Sequence, residues 1–228
     1  DGTIHDRRLV EIMNRYGIRG TFNLNAGFLG QTCWIGGLHG KLDISKIEPD
    51  EVPTLYAGHE IAGHGLNHAS PTDIGSSAYF YETIEDKAAL ELVRGYAYPF
   101  GAYDEKTKNV MQLAGYHYAR TVDTTRQFEL PTDFLAWKGT CHHNDPQLMQ
   151  LAERFCRGEH FSLHTKLFYV WGHSYEFADD DNWSCIEGLC STLNKQGSDI
   201  WFATNIEIFD YVTAFRRLEY GAEGSLVY

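Results

Sequence analysis

With 228 residues the chain suits a single domain, residues 1–228, built around one large core. A composition of 43% hydrophobic, 22% charged and 14% aromatic residues, free of repeats and low-complexity tracts, excludes a disordered or fibrous chain. The net charge of −12 would repel a phosphate backbone and no basic stripe interleaved with aromatics occurs, so nucleic acid is excluded and a neutral partner such as a sugar is expected.

No apolar run approaches the roughly 18 residues of a membrane span. The opening DGTIHDRR has neither the basic start nor the apolar middle of a signal peptide, so a soluble, cytoplasmic protein is the expectation. The oligomeric state is not legible. Cys33, Cys141, Cys156, Cys185 and Cys190 form an odd set without a CxxC pair, which predicts reduced thiols rather than disulfides or a cysteine zinc site.

In chain order, Ile4, Leu9, Ile12, Met13 and Tyr16 recur at helical spacing and stop at Gly17, predicting a helix over 4–16. In RGTFNLNAG, Phe22 and Leu24 alternate with Asn23 and Asn25, the pattern of a strand, and a Gly-rich loop then runs to about Lys41. HEIAGH, 59–64, reads as a strand end. Residues 83–93 read as a helix that meets the strand GYAYPF without a connecting loop, an abrupt join for an α/β unit. Asp104 caps a helix ending near Gly115, and YARTV is the next strand. Asp145 and Pro146 cap QLMQLAERF, and KLFYVWGHSY is the most strand-like run. NWSCIEGLCSTLNKQG reads as a helix and IWFAT as a strand. Thr204 with Glu207 forms a capping box for a last helix through about Leu218. Six or seven strand–helix units in alternation predict an α/β fold, a distorted, TIM-like (β/α)7-8 barrel, with functional residues at the carboxyl ends of the strands. Asp1, Asn25, His64, Pro99, Phe100, Arg120, the segment from Trp137 to His143, and His173 occupy such positions.

His64 and His68 stand four apart in GHEIAGHGLNHAS, where a tight turn lets two imidazoles reach one cation, and Gly63 and Gly65 free the backbone to make it. At these residues the sequence resembles the polysaccharide deacetylases, the NodB-like carbohydrate esterases. Asp1-Gly2 resembles the end of that family's Asp-Asp-Gly turn, and Glu60-Ile61-Ala62-Gly63-His64 through His68 resembles its HxxxH motif. Pro99-Phe100-Gly101 and Val170-Trp171-Gly172-His173 resemble its third and fifth motifs. The resemblance implies Asp1, His64 and His68 as ligands of a divalent metal, with zinc favoured and cobalt, nickel or manganese able to substitute. It implies that Phe100 and Pro99 line the substrate groove, that the Phe100 N–H serves an oxyanion hole, and that His173 is the catalytic acid. The implied activity is removal of acetyl groups from an N- or O-acetylated carbohydrate, by a metal-activated water with a carboxylate base.

Three departures shape the remaining expectations. The carboxylate that precedes Asp1 in the family, the general base, lies outside this chain, so an upstream strand ending in a carboxylate is expected. Ala97 replaces the motif-three arginine, leaving Arg94 or Arg120 to supply its charge. The acidic residue of the fourth motif is assigned to Asp133, paired with Trp137, with Asp123 as fallback. Trp137 is expected to line a pocket, while Trp34, Trp171, Trp183 and Trp201 are expected in core packing. Adjacent strand residues face opposite sides, so only one of His142 and His143 is expected at the site, as a substrate or metal contact. Hydrolysis of small cyclic amides or ureides on the same fold, or carbohydrate binding without turnover, are the competing readings.

Overall fold

Helix α1, Asp6–Arg15, buries Val10 in the main core and Ile12 in a smaller cluster with Phe177 and Trp183. It closes with a Schellman pair, Gly17 N–H to Asn14 (3.1 Å) and Ile18 N–H to Met13 (2.9 Å), which requires Gly17 at φ +65°. The chain then enters β1, Thr21–Leu24, with Phe22 and Leu24 facing the core. The computed structural model describes residues 1–91, 93–158, 165–220 and 226–227.

Five strands form one all-parallel sheet in the order β1, β4 (Glu60–Gly63), β5 (Gly95–Ala97), β6 (Tyr118–Thr124), β7 (Trp137–Gly139). Leu24 pairs with Gly63, Ala97 with Arg120, and Arg120 with Trp137, so the strand ends carrying the candidate residues share one rim. A second parallel pair, β8 (Cys141–His142) and β9 (Val170–Trp171), continues the curve past β7. Helices α3 (Ser76–Ala89), α4 (Glu105–Leu113) and α5 (Leu148–Cys156) alternate with the strands, and α7 (Trp183–Asn194) and α8 (Asn205–Arg216) follow β9. This is the α/β class expected; among the described residues β1 and β9 do not pair, so the sheet is an arc. Gly95 marks its tightest point, because a Cβ there would overlap the Tyr118 ring.

The core is one large cluster over β1, β4, β5 and β6, including Phe22, Leu24, Tyr56, Tyr96 and Met111, flanked by two smaller ones under α5, α6 (Ser174–Asp179) and α7. Among the described residues no helix is long and apolar enough to cross a membrane. All five cysteines are free, with Cys141 and Cys190 buried.

Several local expectations need correction. The Gly-rich segment after β1 holds an antiparallel hairpin, β2 (Trp34–Gly37) with β3 (Gly40–Asp43), where glycines at its turn hid the pairing. A single-turn helix, α2 (Val52–Leu55), precedes β4. Helix α3 begins at Ser76, not 83, after an uncapped extended Gly75, and ends at Ala89. Residues 90–94 therefore connect it to β5, with Leu92 outside the described residues, and the join is ordinary. Helix α5 starts at Leu148 with Gln147 as its cap; Asp145 instead accepts the Gln147 N–H (2.8 Å) and pairs with Arg126. Of KLFYVWGHSY only Val170–Trp171 is strand, and IWFAT makes no sheet pairing among the described residues. Trp34 and Trp201, expected in the core, are more than half exposed (54% and 57%).

Candidate active site

Asp1 is held against β1, its backbone nitrogen donating to Asn23 (2.6 Å), and Gly2 turns at φ +67° with its carbonyl accepting from Ile47 (2.9 Å). The next strand end brings His64. Asp86, buried on α3, accepts N–H groups from Ala26 (2.9 Å), His64 (2.9 Å) and Gly65 (3.0 Å). Burial pushes its carboxyl up to about 6 against the pull of those three donors. Asn25 completes the clamp, its amide donating to the carbonyls of His64 and Gly65 (2.7 Å each). The loop from His64 to His68 is thereby fixed from below by two buried side chains.

Asp1, His64 and His68 each offer one ligand atom, and the three atoms lie within 4.8 Å of one another. Hydrogen positions follow from the partners. His64 Nδ1 lies 2.7 Å from the Ala97 carbonyl, which can only accept, so the proton sits on Nδ1 and Nε2 carries a lone pair. That lone pair faces Asp1 Oδ1 at 3.4 Å, and Oδ1 is buried without a hydrogen-bond partner. Burial drives the His64 imidazole well below its usual value, so protonation does not bridge the gap. Two lone pairs facing across such a distance call for a cation between them, and two ligands of a tetrahedral zinc stand roughly 3.3 to 3.4 Å apart. The residues present therefore fit a divalent ion. The carbonyl behind His64 is the kind of partner that orients a metal-ligating imidazole. His68 is lowered to about 4, first by burial and then by neighbouring cations.

His68 has φ +54° and Phe100 φ +58°, conformations uncommon for such side chains and found where a site constrains the backbone. Their rings meet edge to face with centroids 4.7 Å apart, and Phe100 is 68% exposed. Pro99 is buried beneath it.

A second group assembles around Glu176. His173 is the N-cap residue of α6 and its Nδ1 lies 3.0 Å from Glu176 Oε1. His143 Nε2 and His142 Nε2 lie 3.0 and 3.3 Å from Glu176 Oε2. Both imidazoles reach this carboxylate because β8 ends at His142 and the chain turns at His143, but of the two only His143 lines the cavity that Asp1 shares. Their centroids are 4.3 Å apart, and the His143 ring lies against Gly172, where a Cβ would overlap it. This group could also be considered for a metal. Its hydrogens point another way: His142 Nδ1 accepts the Asn144 N–H (3.1 Å), so a neutral ring carries its proton on Nε2, toward Glu176. Burial alone would raise the Glu176 carboxyl, but the surrounding imidazoles hold it well below the usual range.

His142 is itself lowered to about 4, by burial first and by His143 second. With an unfolded value near 6.5, the unfolded chain takes up this proton before the folded one. Its contribution is complete above about pH 6.5 and is lost as pH falls toward 4, on the order of 2 kcal/mol after allowing for its partly solvated face. Thermal unfolding of the wild type should show a falling midpoint over that window, and His142→Asn should flatten that part of the curve.

The remaining sequence assignments separate. Arg120, in β6, is buried and opens with Asp1, His143 and His173 on one cavity of about 930 Å³. Arg94 forms an exposed two-point pair with Asp210 (2.7 and 2.9 Å), so its charge is spent at the surface. Asp133 is not at the site: it caps Leu135 (2.8 Å) and pairs with Lys108 (2.7 Å). The fallback, Asp123, pairs with Lys138 (3.0 Å). Trp137 is 1% exposed, a core residue rather than a pocket wall, because its ring packs among those of Tyr118, Phe134 and Tyr169. Glu176 was missed, although a Glu three residues after a cap is where a helix start returns a carboxylate to its cap residue.

An all-parallel α/β sheet gathering a carboxylate and two imidazoles on one rim defines an α/β protein with a candidate metal centre. The chain belongs to the polysaccharide deacetylase family, whose model matches residues 1–119. Its fold is similar to that of a polysaccharide deacetylase from Mycobacterium smegmatis described as putative, at 16% identity and TM-score 0.61, over 93% of this chain and 78% of that one. It is also similar to a family 4 carbohydrate esterase from Streptomyces lividans solved in complex with acetate, at 13% identity and TM-score 0.55, over 86% and 85%. The Streptococcus pyogenes deacetylase PplD, in complex with acetate, matches at 18% identity and TM-score 0.46 over 54% of each chain, so this chain spans about half of that relative. No curated protein sequence matches the chain.

Proposed function

We propose that this chain removes acetyl groups from an N- or O-acetylated carbohydrate with a divalent ion held by Asp1, His64 and His68. The observation that carries the reading is the His64 Nε2 lone pair facing the unpartnered Asp1 Oδ1 at 3.4 Å. Nitrogen and carboxylate donors in this number favour zinc, with cobalt, nickel or manganese able to replace it. Such an ion supplies a Lewis acid that polarises an acetyl carbonyl and eases deprotonation of a water.

The chain's own residues do the rest. The exposed Phe100 ring offers a sugar an apolar face beside His68, and its backbone N–H is the oxyanion donor in this reading. With Nδ1 of His173 engaged by Glu176, Nε2 is the nitrogen that hands a proton to the leaving amine or alcohol. Glu176 holds the ring in one orientation through its contact with Nδ1. The test is acetate release from acetylated chito-oligosaccharides by zinc-loaded protein, with zinc counted by mass spectrometry. Acetate release that tracks zinc content supports the reading; ring opening of small cyclic amides without acetate release, or sugar binding without turnover, overturns it.

A further inference from the structure

Glu82 and Asp86 stand one turn apart on the same face of α3, and the chemistry proposed above uses neither. Both reach the turn that carries the two candidate ligand histidines. Asp86 Oδ2 accepts the N–H groups of His64 (2.9 Å) and Gly65 (3.0 Å), while its Oδ1 accepts that of Ala26 (2.9 Å). Glu82 accepts the Asn67 N–H (2.8 Å) and the Asn67 side-chain amide (2.7 Å), and its own carbonyl accepts the Leu66 N–H (3.2 Å). The carbonyls of the turn are taken from the other side. The Asn25 amide donates to those of His64 and Gly65 (2.7 Å each), and the Gly27 N–H to that of Leu66 (3.0 Å). From His64 to Leu66 every backbone N–H and C=O therefore has a protein partner.

The neighbouring glycines show how close the approach is. A Cβ on Gly63 would stand 2.8 Å from Asp86 Oδ2, and one on Gly27 would stand 2.5 Å from the Leu66 carbonyl oxygen. Backbone N–H groups bonded to a carboxylate are held more strongly than by a neutral acceptor. Such holding matters here because metal–ligand distances are fixed to within about 0.2 Å, and because His68 keeps a φ of +54° that only a constraining surround sustains. We propose that Asp86 and Glu82 are positioning residues of the candidate metal centre, fixing the His64 and His68 rings through the backbone of residues 64–67 and so setting the affinity for the ion. The inference rests on the deacetylase reading only for the presence of that ion; the fixing of the turn is measured without it.

The test compares wild type with Asp86→Asn, Glu82→Gln and a control, Glu60→Gln. Glu60 lies at the opposite end of β4 and accepts hydrogen bonds from Thr21 (2.8 Å), Tyr118 (2.8 Å) and Ile206 (2.9 Å), so its neutralisation weakens the sheet without touching the turn. Zinc affinity is measured by competition with a zinc-binding dye, and amide hydrogen exchange is followed in zinc-free protein. Partners one step behind a metal ligand typically contribute 10- to 100-fold to affinity, so D86N is expected to lose about tenfold or more and E82Q about threefold or more, with E60Q within about twofold of wild type. Exchange should quicken at His64 and Gly65 in D86N and at Asn67 in E82Q, while the amides of α5 keep their wild-type rates. Zinc affinity in folded D86N equal to that of E60Q overturns the proposal, and so does quickening spread evenly over the chain. If D86N does not fold, E82Q decides alone: the stated loss with faster exchange at Asn67 supports the positioning role, and an unchanged affinity overturns it. A wild type that binds no zinc refutes the deacetylase reading instead; exchange then decides, with quickening confined to residues 64–67 supporting the hold of α3 on the turn and unchanged rates overturning it.

Discussion

If the proposed metal centre holds, His64→Ala is expected to abolish zinc binding and to lower acetate release to the background. The argument rests on the two ends of the ring. Nε2 faces Asp1 Oδ1 at 3.4 Å, and Nδ1 is committed to the Ala97 carbonyl at 2.7 Å, so the imidazole presents its lone pair in one fixed direction. Alanine removes both at once. Loss of a residue that merely supports a ligand typically costs 10- to 100-fold in metal affinity, and loss of the ligand itself should exceed that. Competition against a zinc-binding dye measures the affinity independently of catalysis. Asp1→Asn serves as the companion variant, because it keeps the side chain's shape while removing the charge. Zinc affinity within threefold of wild type in both variants would remove these residues from the metal centre.

His173→Ala is expected to lower turnover by on the order of 10² to 10⁴ while leaving zinc content and affinity nearly unchanged. Its ring is not among the three groups at the candidate metal centre, and its one polar contact among the described residues is Glu176 at 3.0 Å. The loss should fall on kcat more than on KM, since a proton donor acts in the transition state rather than in substrate binding. Substrates with a good leaving group, such as aryl acetates, should be much less affected because they depart without a proton. An equal loss on amide and activated ester would mean that His173 acts by shaping the cavity. Glu176→Gln is expected to give a smaller loss on the amide than His173→Ala, because the ring keeps its proton-bearing nitrogen and loses only the carboxylate that orients it.

The two groups of imidazoles illustrate how little composition says about chemistry. Each brings histidines to a carboxylate at 3.0 to 3.4 Å. In the first, a carbonyl behind His64 forces the lone pair toward the carboxylate; in the second, a backbone N–H behind His142 forces the proton toward it. One atom of hydrogen-bond context thus decides whether an imidazole turns a lone pair or a proton toward its carboxylate.

Much of the architecture was written locally. The helix stop at Gly17, the capping box of Asp104 with Thr107 and that of Thr204 with Glu207 depend on residues within a few positions of one another, and they stand in the fold. The parallel α/β class followed from alternation alone. The HxxxH segment was conspicuous for the same reason, since glycines on either side of His64 announce a turn whatever the rest of the chain does. The hairpin after β1, the early start of α3 and the brevity of β9 were not readable, because pairing partners and an uncapped Gly75 leave no local mark.

What sequence by itself determined, then, was the fold class and the placing of candidate residues at strand ends, both consequences of short-range periodicity and spacing, and, separately, a family resemblance carried by the order of its motifs. Tertiary structure alone decided which of those residues meet. Asp86 reaches the His64 loop from 22 positions away, and Arg120 is buried because strands and loops distant in sequence close around it. Asp133 and Trp137, equally plausible by motif order, went instead to a surface lysine and to the core. Burial and the direction of a lone pair arise from contacts between elements far apart in the chain, and no spacing within one element encodes them.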